Sequence, residues 1–142
     1  MTVDLREHIR WMLTLRSGDV DSKMQEISLD ESDSAIIAAF TTATVKALGD
    51  DPALESIRQL IGEIRGTYVK NENLQPVLAE AVVRSAFGER ELLEGVSYLD
   101  TMKMQLSITY GIIQHLKLGE ADFEAYLDEA AELAKELVVD ER

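Results

Sequence analysis

Apolar residues recur at steps of three and four along most of this chain, the period of an α-helix with one face turned inward. The longest such run is Glu89 to Leu118, with Leu92, Val96, Leu99, Met102, Leu106, Tyr110, Ile113 and Leu116 on one face. It has no proline and a glycine just outside each end, Gly88 and Gly119. As one helix it would be a pillar of ~45 Å. Gly95 and Gly111 lie inside the run, and either could kink or divide it. Beyond Gly119, Phe123, Leu127, Ala130, Ala134 and Leu137 step by four and three. That heptad-like seam predicts a helix over 122–138, capped by Asp122. The short turn at 118–121 makes the pillar its natural partner, so a long C-terminal antiparallel hairpin is expected.

Shorter helices are predicted upstream. Residues 3–16 carry Leu5, Ile9, Met12 and Leu13, and Ser17-Gly18 should end them. Residues 19–28 follow, with Asp19 as cap and Val20, Met24 and Ile27 as stripe. Residues 33–48 are the most apolar, with Ile36, Ile37, Phe40 and Ala43, and should be largely buried. Asp51-Pro52 should start a helix over 52–65 with Leu54, Ile57, Ile61 and Ile64 inward. Tyr68 to Leu74 reads as a loop or short turn, and Pro76 as the start of another helix with Val77, Leu78, Ala81 and Val82 inward and Asn73 as cap. No segment alternates like a strand. The expectation is all-α: a compact bundle of about six to eight helices, residues 1–142 forming a single helical domain.

Composition narrows the chemistry. Hydrophobic residues at 46% and charged residues at 29% argue against disorder. The absence of cysteine excludes disulfides, thiolate metal sites and cysteine nucleophiles. The net charge of −13 is uneven: residues 18–34 carry −5 and residues 120–142 carry −7. Such a surface repels nucleic acid and anionic membrane, so neither is an expected partner. Asp4, Arg6, Glu7 and Arg10 interrupt any apolar leader, and no window suits a transmembrane helix, so the expected location is cytoplasmic.

Standard catalytic signatures are missing. There is no Gly-x-Ser-x-Gly elbow, no phosphate loop and no dinucleotide fingerprint. His8 and His115 lack a glutamate three residues earlier, as a di-iron bundle would need. The acidic junction at 28–33 fails the EF-hand pattern and reads better as helix-capping carboxylates. Two Glu-x-x-Glu pairs remain, Glu91 with Glu94 and Glu129 with Glu132. They resemble, over these four residues, the paired carboxylates of all-α nucleotide pyrophosphohydrolases of the MazG type. That resemblance implies Mg²⁺ held between two antiparallel helices. The expected hairpin, however, would separate the two pairs by roughly 25 Å. A third reading takes Met12, Met24, Met102 and Met104, with Tyr98 and Tyr110, as an adaptable small-molecule pocket rather than as core filling.

The leading expectation is a non-enzymatic, acidic interaction module of the adaptor, regulator or inhibitor type. It would need no cofactor and no metal, and would bind another protein, with a basic surface suiting the acidic face. Its contact residues would be Glu124, Asp128 and Glu132, with Trp11 and Arg10 as an aromatic and arginine anchor. An overhanging pillar would also favour a homodimer that covers it.

Overall fold

The computed structural model describes residues 4–14, 20–27 and 29–140. Among them lie seven α-helices: α1 Leu5–Met12, α2 Val20–Glu26, α3 Leu29–Leu48, α4 Leu54–Ile64, α5 Pro76–Ala86, α6 Tyr98–Leu116 and α7 Glu120–Asp140. Two 3₁₀ turns, Asn71–Asn73 and Arg90–Leu93, precede α5 and α6. No strand occurs among the described residues. The fold is all-α, as the apolar spacing requires. The expected Ser17-Gly18 stop and Asp19 cap lie outside the described residues.

The centre of the bundle is α3 with α6. Helix α3 packs most extensively on α7 and then on α6, and α1 covers both α3 and α7. On the other side, α4 and α5 pack on each other and on α6, and α2 also reaches α6. The last two helices therefore do not lie chiefly on one another. Each uses α3 as its main partner, in place of the expected hairpin seam. The reason is in α3 itself: Ser32, Ser34, Ala35, Ile36, Ala38, Ala39, Phe40, Ala43 and Thr44 are all buried. A helix apolar around so much of its girth must be covered from more than one side. Small residues on it admit close neighbours, and Tyr126 of α7, fully buried, donates a hydrogen bond to the Ala39 carbonyl at 2.8 Å.

The thirty-residue pillar is also divided. Gly95 takes φ +83, a conformation costly for any residue with a Cβ, and the chain turns there. Ser97 then caps α6, accepting from the Asp100 N–H at 3.1 Å. What remains is 19 residues, or about 28 Å. Every residue from Met104 to Thr109 is buried, so the middle of α6 is enclosed, while Tyr98 and Leu99 in its first turn stay exposed. The pillar whose overhang motivated a homodimer is thus shorter than the ~45 Å expected. Ser107 and Thr109 satisfy their hydroxyls on carbonyls one turn back, at 2.9 and 2.6 Å. At Gly111 an added Cβ would meet Ile64 Cδ1 at 2.9 Å, so the bare backbone here is what lets α4 approach α6.

Three smaller expectations change. Residues 29–33 belong to α3 rather than to a capping junction. Helix α4 begins at Leu54 behind Ala53, not at Pro52, and Leu54 is exposed. In α5, Pro76 does open the helix, but the N-cap is Gln75 and Asn73 is buried in the preceding turn. Val77 faces outward, 86% exposed, because the buried positions are Ala79, Val82 and Val83. Val77 sits about 200° around the helix from Ala79.

Candidate interaction surface

Helix α7 divides its residues cleanly. Tyr126, Leu127, Ala130, Ala131 and Ala134 are buried, while Asp122, Glu129, Glu132 and Glu136 are exposed. The acidic positions step by seven, three and four, so they form one outward stripe along the helix.

Two other carboxylates of this helix, Glu124 and Asp128, are engaged. Arg10 grips Glu124 with two hydrogen bonds, Nη1 to Oε1 at 2.8 Å and Nη2 to Oε2 at 2.9 Å. Arg6 also pairs with Glu124, and its Nε donates to Asp128 Oδ1 at 2.6 Å. Glu7, on the same turn of α1, accepts from both arginines at 3.1 Å. A forked guanidinium on a carboxylate fixes orientation as well as charge. This network docks α1 on α7, so Arg10, Glu124 and Asp128, expected as partner contacts, are matched within the molecule. Among the described residues Glu132 reaches only Lys135, at 3.3 Å and with both side chains mostly exposed. Asp122, Glu129 and Glu136 have no cation among the described residues.

Trp11 is 38% exposed, with His8 stacked on it at 5.7 Å and Lys23 Nζ 4.2 Å from its ring centre. These two neighbours flank the ring, and more than a third of the residue stays exposed. The His8 ring also has a structural role: Nε2 meets Ser32 Oγ at 2.8 Å, tying α1 to α3. His115 Nε2 lies 3.0 Å from Glu63, with Tyr68 edge-on to the imidazole.

The two glutamate pairs do not converge. Glu91 and Glu94 are exposed at the 3₁₀ turn that packs on α5, whereas Glu129 and Glu132 are exposed on α7, which packs on α3 and α1. Among the described residues no group of three or more histidines and carboxylates is placed to share a metal ion. Met12, Met102 and Met104 are buried in the core and Met24 packs against it. They serve there as filling between helices.

A groove that the sequence reading missed lies between α4 and α5. Its volume is about 530 Å³, and Ile61, Pro76 and Val77 line it together with Arg58, Arg65 and Glu80. Arg58 donates to Glu80 at 2.5 Å, and Arg84 reaches the same carboxylate at 3.3 Å. The Arg58 hydrogen bond outweighs desolvation and holds the Glu80 carboxyl below its usual pKa. The signal for this site was an excess of apolar residues after Pro76, more than one face of α5 can bury.

No helix among the described residues is long and apolar enough to cross a membrane. Comparison with protein-family models, curated proteins and solved structures finds no match.

Proposed function

We propose that this chain is a non-enzymatic helical interaction module that binds a basic surface of another protein through the outer face of α7. The observation that supports the reading is the division of charge on that helix. Glu124 and Asp128 are matched by arginines of α1, while Asp122, Glu129 and Glu136 are exposed without a cation among the described residues. Fixed charges on a rigid helix favour fast, salt-sensitive association with an opposite charge. The dispersal of the glutamate pairs favours this over a Mg²⁺-dependent hydrolase.

The test is quantitative affinity capture with the native chain and with a Glu129→Lys, Glu132→Lys, Glu136→Lys variant. These positions lie outside the α1 network, so the fold should persist. A protein captured by the native chain alone should show an on-rate that falls steeply with salt. Capture indifferent to the triple reversal would refute the reading.

A further inference from the structure

The groove between α4 and α5 has the opposite electrostatic character to α7. Arg58 is matched by Glu80, but Arg65 is not matched by any described carboxylate. Its Nε donates to the Leu74 carbonyl at 2.8 Å. That bond fixes the plane of the guanidinium and leaves its two terminal nitrogens uncommitted at the groove's edge. A guanidinium held in this way has already lost much of its rotamer freedom, and its paired N–H groups suit a carboxylate. Beside it, Val77 stands 86% exposed, with Ile61 and Pro76 completing an apolar floor. The first turn of α5 carries no acidic residue and its N-cap makes no side-chain hydrogen bond, so the positive end of the helix reinforces the preference for an anion.

From this juxtaposition we propose that the groove binds a peptide segment of another protein that presents an apolar side chain next to a carboxylate. The apolar group would cover Val77 and Ile61, and the carboxylate would take the two free nitrogens of Arg65. A peptide fits better than a small metabolite. Small ligands are usually enclosed on most sides, whereas here one wall is a valine almost wholly in solvent. In a chain of net charge −13 this site selects an acidic ligand through local contacts, against the overall field. It is thus separate from the basic partner proposed for α7.

The probe is a phage-displayed random dodecapeptide library selected on the full chain. Enriched peptides are then synthesised and titrated by fluorescence anisotropy. The expected consensus is an aspartate or glutamate adjacent to a large apolar residue. Arg65→Gln should weaken these peptides by about tenfold to a hundredfold, the usual worth of a hydrogen-bonded charge. Arg65→Lys should recover only part of that loss, because one ammonium cannot both hold the Leu74 carbonyl and present a fork. Because Arg65 also supports the chain locally, Val77→Asp provides a second variant at a site with no structural partner. It should weaken binding by about tenfold with an unchanged melting temperature. The α7 triple reversal should leave peptide affinity intact, which separates failure here from failure of the α7 reading. A basic consensus, no consensus, or affinity indifferent to both Arg65→Gln and Val77→Asp would overturn the proposal. So would a concentration-dependent dimer abolished by Val77→Asp, which would assign the groove to a second copy of the chain.

Discussion

Replacing Tyr126 by phenylalanine removes a single oxygen from the seam between α3 and α7. The ring is fully buried and should stay in place, so the change isolates the hydroxyl and its 2.8 Å bond to the Ala39 carbonyl. Ala39 lies within α3, where its carbonyl also belongs to the helix ladder, so the substitution does not orphan it. The expected loss near neutral pH is therefore an ordinary hydrogen bond, about 1 kcal/mol. The pH dependence gives a second, sharper signature. Burial pushes the Tyr126 phenol well above its usual pKa. The folded state thus keeps a proton that the unfolded chain releases near pH ~10. Stability from this group is complete below that pH and is lost as pH rises toward the folded value. The slope is about 1.4 kcal/mol per pH unit. By about pH 11 the native chain should have lost ~1.4 kcal/mol that the phenylalanine variant cannot lose. The two stability curves should accordingly cross between about pH 10 and 11. Urea denaturation of both proteins across this range gives the difference directly, and the other tyrosines and the lysines cancel. A difference that stays constant up to about pH 11 would refute the argument that Tyr126 is held protonated by burial.

Two glycines inside helices should respond to alanine with opposite sign. Nothing lies within 4 Å of a Cβ built at Gly62, so Gly62→Ala should stabilise the chain by up to ~1 kcal/mol through helix propensity. At Gly111 the same Cβ meets Ile64 Cβ at 3.2 Å and Val69 Cγ2 at 3.1 Å, and overpacking should cost about 1–3 kcal/mol. Thermal melts of the pair test this, and equal shifts would contradict the close approach of α4 to α6. Glu124→Ala removes the carboxylate gripped by Arg10 and should cost about 1 kcal/mol, less at high salt. Hydrogen exchange should then show the amides of α1 opening before those of α3.

Much of the fold was legible because helix periodicity is a local property. The seam Leu127, Ala130 and Ala134 of α7 is buried as the spacing predicted, and the 33–48 run is the enclosed helix its composition implied. Pairing was less legible, since a short loop after α6 suggests adjacency but does not enforce it. The many-sided demand of α3 decided the arrangement. Division of the long run at Gly95 depended on a positive φ, which the sequence permits but does not specify. The candidate surfaces were read only in part. Glu124 stood out as a charge, yet its partner Arg10 is 114 residues away in the chain. Nothing local distinguishes a glutamate that closes an ion pair from Glu129, which faces solvent. The Arg65 groove was signalled only by the excess of apolar residues after Pro76, because its charge character comes from a backbone carbonyl at Leu74 and a valine on the next helix.

The central place of α3 has a consequence for synthesis. The helix is made early, but the neighbour it packs on most begins at Glu120. Until that neighbour leaves the ribosome, Ala35, Ala39, Phe40 and Ala43 have no α7 to rest against. The nascent chain therefore carries a sticky, uncovered helix for the time needed to translate more than seventy residues. At about 5–20 residues per second that is several seconds, a long exposure for a helical protein that would otherwise fold fast. Chaperone demand should thus fall sharply at the moment α7 emerges, and a stall just before it should leave a chain that aggregates rather than a smaller folded domain.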